Sequence, residues 1–183
     1  MTPLALLRHG ETAWSAAGRI QGRADVPLLP GISISIPKSC GGMRIVTSPL
    51  RRCVETATLL GAADAARESR IIEMDWGHWQ GESLTSLRER LGDEMRDNEA
   101  RGLDFRPPGG ESPRLVLARL KPWLKDLAQA GQPTLAVIPQ DATPQLFEGL
   151  HERVTVLQHG TDHRNRAAAG EKKTEYPAAA RLR

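Results

Sequence analysis

Short unbroken apolar runs alternate along this chain with longer stretches in which apolar residues recur every three or four positions. Leu4-Ala5-Leu6-Leu7 behind Pro3, Arg44-Ile45-Val46-Thr47 and Thr134-Leu135-Ala136-Val137-Ile138 are such runs. Their length and branched aliphatic content suit strands buried on both faces of a parallel sheet. Between them the spacing turns helical. Ser48-Pro49 predicts a helix start, Ser as N-cap and Pro in the first turn, followed by Leu50, Val54, Ala57 and Leu60. Leu84 to Arg101 reads as one helix rich in Arg and Glu. Glu111-Ser112-Pro113 opens another, whose stripe of Leu115, Leu117, Leu120, Trp123, Leu124 and Leu127 stops near Gly131. Pro122 lies inside that stripe and predicts a kink or a turn. Strand, helix and strand alternate with connections long enough for crossovers. The expected fold is therefore α/β, a single domain with a mainly parallel sheet flanked by helices.

Two stretches break the pattern. Gly31 to Gly42 (GISISIPKSCGG) falls where a helix should join the first strand to the second, yet it has no helical stripe and contains a proline. From Pro139 the chain is irregular again, ending in Ala, Lys and Arg with little to bury. These features divide the chain into a domain over 1–138 and an atypical segment over 139–183, whose composition is that of a disordered tail or of a shifted reading frame. The 183 residues contain no internal repeat, and that length suffices for one well-packed core.

Composition narrows the classes. Apolar residues make up 39% and charged residues 26%, ordinary for a globular protein. No apolar run approaches the roughly 20 residues of a membrane span, and Arg8 and His9 interrupt the N-terminal apolar stretch too early for a secretory leader. Cys40 and Cys53 are too few for a disulfide framework and lack metal-ligand spacing. A cytoplasmic protein without cofactor or metal is the expectation, with neither a membrane nor a nucleic acid as partner. The net charge of +3 sits wholly beyond residue 150: residues 1–150 hold 18 basic and 18 acidic residues, and residues 151–183 hold 7 and 4. A basic tail of this kind is expected to be solvated, since no interleaved aromatics accompany it.

Candidate chemistry begins at Arg8-His9-Gly10. A neutral imidazole is both a fair nucleophile toward phosphorus and a good leaving group. The neighbouring guanidinium offers forked donors to phosphate oxygens, and Gly10 lets backbone approach an anion. Three residues alone are weak evidence, because an isolated His is more often structural.

The continuation is specific. Leu6-Leu7-Arg8-His9-Gly10-Glu11-Thr12-Ala13-Trp14, Gly18-Arg19-Ile20-Gln21-Gly22 and Asp25-Val26-Pro27-Leu28 resemble the opening signature of the histidine phosphatase superfamily. That superfamily includes phosphoglycerate mutases, fructose-2,6-bisphosphatases and small phosphatases such as α-ribazole phosphatase. Thr47-Ser48-Pro49-Leu50-Arg51-Arg52-Cys53-Val54-Glu55-Thr56-Ala57, Ile72-Glu73-Met74-Asp75-Trp76-Gly77-His78-Trp79-Gln80-Gly81 and Pro108-Gly109-Gly110-Glu111-Ser112 resemble its next three blocks, in order. The resemblance covers roughly Leu4 to Val137 and implies a phosphoglycerate mutase-like fold. It makes His9 the nucleophile, Arg8 and Arg52 the phosphate ligands and Glu73 the proton donor. Gly10, Glu11, Thr12, Ser15, Gln21, Gly22 and Ser112 become substrate-binding candidates, with a small phosphorylated metabolite as the partner. Asp75 and Glu82 are nearby rivals of Glu73 without its position in the block, and His78 reads as solvent-facing.

Three departures matter. The family's third strand usually runs into a second phosphate-binding histidine, whereas here Ile138 is followed by Pro139 and Gln140. His159, in Val154-Thr155-Val156-Leu157-Gln158-His159-Gly160, has the local form of a substitute but comes about twenty residues too late. Codons ATC-CCA-CAA-G for Ile-Pro-Gln read one base later give Ser-His-Lys, a family-like ending, so a shifted frame is a second account. Finally, Ser15 stands where the family usually has asparagine. The leading expectation is a metal-independent phosphomonoester phosphatase, because the chain lacks the long insertions of glycolytic mutases. A mutase-type phosphoryl transfer and an impaired phosphate-binding relative are the alternatives.

Overall fold

The computed structural model describes residues 3–139 and 154–157. Five strands, β1 (Leu4–Arg8), β2 (Arg44–Thr47), β3 (Ala66–Arg67), β4 (Thr134–Ile138) and β5 (Val154–Leu157), form one sheet in the order β3-β2-β4-β1-β5. Every pairing is parallel. All five strands therefore present their C-terminal ends at one edge, the edge where α/β sheets bind ligands. Register sets the depth of that edge: Arg8 lies opposite Ile138, and Thr47 opposite Val137. β5 joins the sheet from beyond residue 138, with Leu157 opposite Leu7.

Side-chain alternation along the strands separates two apolar layers. Leu4 and Leu6 face a core built with Val116, Leu120, Trp123, Trp76 and Phe105, whereas Ala5 and Leu7 face one built with Cys53, Ala57, Leu135 and Val137. The first layer is covered by α5 (Pro113–Ala130), capped by Ser112 and ended by left-handed Gly131, as the sequence predicts. The helix continues through Pro122, which lies on the exposed side. There its missing N–H and ring meet solvent rather than core. Leu115 also turns outward, 45% exposed. It is Val116 and Leu117, rather than Leu115, that carry the start of the buried stripe. Fully burying a side chain such as Leu120 stabilises the fold by about 2 kcal/mol.

Two helix expectations are corrected. The helix predicted from Ser48-Pro49 begins later, as α2 (Arg51–Leu59), with no side-chain cap on its N-cap residue Leu50. Ser48 still donates its N–H to the Val137 carbonyl at 2.9 Å and so remains a continuation of the strand. Asp25 accepts from the Arg51 N–H instead. The single helix expected over Leu84–Arg101 is two, α3 (Leu84–Leu91) and α4 (Asp93–Ala100). Gly92 between them sits at φ +52°, a conformation that ends a right-handed helix.

The anomalous Gly31–Gly42 stretch holds only a short turn over Lys38–Cys40. Before it, Ile32, Ile34 and Ile36 are half-buried while Ser33 and Ser35 are exposed. This two-residue alternation lays Ile34 and Ile36 on the second core, where a helix would otherwise pack. Among the described residues no helix is long and apolar enough to cross a membrane.

Candidate active site

β1 delivers His9 to the sheet edge, where its N–H donates to the Ile138 carbonyl at 3.0 Å and the residue is 1% exposed. Imidazole Nδ1 lies 2.6 Å from the Gly10 carbonyl. A carbonyl only accepts, so Nδ1 is the protonated nitrogen and Nε2 carries the lone pair in the neutral ring. Gly10 is itself pinned: its N–H donates to Thr56 Oγ1 at 2.9 Å, and that hydroxyl donates to the Arg52 carbonyl at 2.7 Å. Ile34, Leu28 and Ile32 pack so closely over Gly10 that a Cβ there would stand 3.1, 3.2 and 3.4 Å from them.

Arg52, in the first turn of α2, is fully buried. Its Nη1 and Nη2 donate to the Ala24 and Gly22 carbonyls at 2.9 and 2.8 Å. Among the described residues Nε has no hydrogen-bond acceptor. A buried guanidinium held by neutral carbonyls retains charge and donor capacity that an oxyanion can satisfy. Gly22 is at φ +49°, and a Cβ there would strike the Gln80 side chain, so the loop that holds Arg52 needs glycine at this point.

Glu73 lies on the segment after β3 and is also fully buried. Its carboxylate Oε1 accepts from the Met74 N–H at 2.8 Å. Cys53, the neighbour of Arg52, feels both charged groups: burial, helped by Glu73 and opposed by Arg52, pushes its thiol up to about 12. The thiol is therefore an inert part of the core.

Of the other predicted residues, Arg8 ends β1, half-buried. The Glu11 carbonyl accepts from Leu29 N–H, which ties down the loop after His9. Thr12 Oγ1 donates to Gln21 Oε1 at 2.7 Å, joining two buried members of the opening signature. The Ser15 hydroxyl is engaged in a capping box with Thr12 on the short helix α1 (Ala13–Ala16), and Ser112 caps α5. Both hydroxyls thus have local structural duties. His78 is exposed, as expected. Pro139 is buried at the end of β4, where the family resemblance would place a histidine. His159 lies outside the described residues, as do His151 and His163.

Four participants were missed by sequence reasoning. Thr56 was legible in principle, four residues after Arg52 and so on the same helix face. Arg23, Glu111 and Arg119 make contacts 36 to 88 residues away along the chain, which no local pattern reveals.

This geometry agrees with comparison to known proteins. Residues 4–31 and 38–146 match the family model of the histidine phosphatase superfamily (branch 1). The chain belongs to that superfamily. Only the isoleucine-bearing stretch interrupts the match. A relative, the "Probable phosphoglycerate mutase GpmB" of Salmonella paratyphi C, is 32% identical over an alignment of 155 positions that covers 80% of this chain and 68% of that protein. Among solved structures, TTHB049 from Thermus thermophilus is 27% identical with a TM-score of 0.58, over 73% of this chain and 76% of that one. The mycobacterial glucosyl-3-phosphoglycerate phosphatase Rv2419c shares the fold, with a TM-score of 0.59 at 24% identity over 73% of this chain and 74% of its own.

Proposed function

We propose that this histidine phosphatase hydrolyses phosphomonoesters through a phosphohistidine at His9. The observation that carries the reading is the 2.6 Å contact from Nδ1 to the Gly10 carbonyl, because it presents Nε2 as the nucleophilic nitrogen of a ring held rigid at the sheet edge. Nε2 attacks phosphorus as the ester oxygen leaves, forming the N–P bond and breaking the P–O bond. Arg8 and Arg52 balance the charge on the other phosphate oxygens, and Glu73 gives its proton to the departing alkoxide. Water then attacks the phosphohistidine, loses a proton to Glu73 and releases inorganic phosphate. Gly10, Glu11, Thr12, Ser15, Gln21, Gly22 and Ser112 belong to this reading as the loops that bound the substrate. Positioning and charge compensation provide most of the rate, so no metal is required. A small phosphorylated metabolite in the cytoplasm is the corresponding substrate.

The test is hydrolysis of p-nitrophenyl phosphate by wild type, His9→Ala and Glu73→Gln in the presence of chelator. Turnover that survives chelator and is abolished by His9→Ala supports the reading. A folded wild type that binds phosphate through Arg52 without turnover would replace it with a phosphate-binding role, the outcome that Pro139 favours. The named mutase relative supports a second reading. It predicts interconversion of phosphoglycerate isomers faster than phosphate release, measurable in one reaction by phosphorus NMR.

A further inference from the structure

The peptide unit of Glu73 is gripped from outside its own segment by two cations. Its carbonyl accepts from Arg23 Nε at 3.3 Å and from Arg119 Nη2 at 3.2 Å. The Met74 N–H of that same peptide unit donates to the Glu73 carboxylate at 2.8 Å. The plane is thus fixed at its oxygen by two guanidinium groups and read at its N–H by the carboxyl group itself. If the peptide turned, the carboxylate would lose its backbone donor and move.

Glu111 holds the two cations in place. Its Oε2 accepts from Arg23 Nη2 at 3.1 Å and from Arg119 Nη2 at 3.3 Å, and its Oε1 accepts from Arg119 Nε at 3.3 Å. Oε2 also lies 3.3 Å from the Asp75 N–H, while the Glu111 N–H donates to the Asp75 carbonyl at 2.8 Å. Asp75 lies 3.7 Å from Arg23, so two cations meet two carboxylates. Arg119 and Glu111 are mostly shielded, with side chains 17% and 15% exposed, which makes their pairing less screened than a surface pair. Arg119 Nη1 also donates to the Arg70 carbonyl, tying α5 to the chain that leads into Glu73.

Arg23 adds a link to the phosphate ligand. It stands between Gly22 and Ala24, the two residues whose carbonyls hold Arg52. One three-residue stretch therefore contacts the guanidinium that would bind phosphate and the peptide that aims the acid.

We propose that Arg23, Glu111 and Arg119 are positioning residues that fix the peptide unit of Glu73 and thereby aim its carboxyl at the leaving oxygen. This rests on the phosphatase reading for the role of Glu73, but the geometry of the clamp stands apart from it. A displaced acid hurts substrates in proportion to how much their leaving group needs a proton. Phenoxide needs it far more than p-nitrophenoxide.

The experiment compares kcat and KM for phenyl phosphate and p-nitrophenyl phosphate in full-length wild type, Glu73→Gln, Glu111→Gln, Arg119→Leu and Arg119→Lys. Amide exchange at Met74 is followed by NMR in the same proteins. In Glu111→Gln and Arg119→Leu, the ratio of kcat/KM on p-nitrophenyl phosphate to kcat/KM on phenyl phosphate should rise about 10-fold or more, in the direction set by Glu73→Gln. KM should change little, and Met74 exchange should quicken. Arg119→Lys, which keeps the charge but not the fork, should fall between wild type and Arg119→Leu. Equal losses of kcat/KM on both substrates, or Met74 exchange unchanged in both non-conservative variants, would overturn the clamp. If wild type turns over neither substrate, the phosphatase reading fails while Met74 exchange still decides whether the clamp exists.

Discussion

The contact from His9 Nδ1 to the Gly10 carbonyl couples nucleophile to backbone, and Thr56 couples that backbone to Arg52. The proposed nucleophile and the proposed phosphate ligand are thereby positioned by hydrogen bonds rather than by loop packing alone. At the end of β4 the same economy is broken. Pro139 offers neither a side-chain donor nor an N–H, at the point where a histidine would face phosphate in the resembling enzymes. Removing one donor to developing charge costs about 100-fold or more in many enzymes. Pro139→His is therefore expected to raise kcat on p-nitrophenyl phosphate by at least about 10-fold, with the effect lost in the His9→Ala background. An unchanged kcat in a folded Pro139→His protein would mean that the site already has the donor it needs.

At the scale of elements, the segment from β3 to Glu73 is anchored by charge as well as by burial. Glu68 accepts from the Arg70 N–H and pairs with the Arg70 guanidinium at 2.8 Å, and Arg70 reaches Asp126 on α5 at 2.6 Å. The hydrogen bond from Arg70, opposed by partial burial, holds the Glu68 carboxyl below its ordinary value of 4.5. Because the folded value is the lower one, this stabilisation is present above the unfolded value and is lost as pH falls through the folded one. Thermal melts between about pH 5 and pH 3 should show a falling midpoint, part of which disappears in Glu68→Gln. An identical pH dependence in the variant would remove Glu68 from the acid response. The elements themselves were unevenly legible in sequence. β1, β4 and α5 carry their own signals in apolar runs, a Ser-Pro cap and a terminal glycine. The start of α2 does not, since the Ser48 bond to Val137 that delays it spans the sheet. The break at Gly92 was visible as a glycine but hidden inside an Arg- and Glu-rich run that reads as continuous helix. The two residues of β3 are too short for any periodicity. The 31–42 stretch shows in sequence only as a missing helix, and nothing in it says that Ile32 and Ile34 cover Gly10.

Across the whole molecule, a parallel sheet gathers the ends of its strands at one edge; the first three site blocks quoted from the sequence follow β1, β2 and β3, and the fourth leads into α5. The motif residues could be named because the chemistry repeats them at fixed spacings. Their mutual support could not, because Arg23, Glu111 and Arg119 act across 36 to 88 residues of chain. The sheet also reaches past the segment 1–138, since β5 pairs with β1 on the side away from β4. Leu157, the last described residue of β5, thus lies on the flank of β1 opposite β4.

The central claim is that His9 carries the phosphoryl group. Rapid acid-free quenching of wild type with p-nitrophenyl phosphate, followed by peptide mass spectrometry, tests it most directly. The account predicts a phosphoryl group on His9 that is stable in alkali, labile in acid and absent from His9→Ala. Steady turnover with His9 never modified, or with the label on another residue, would contradict it.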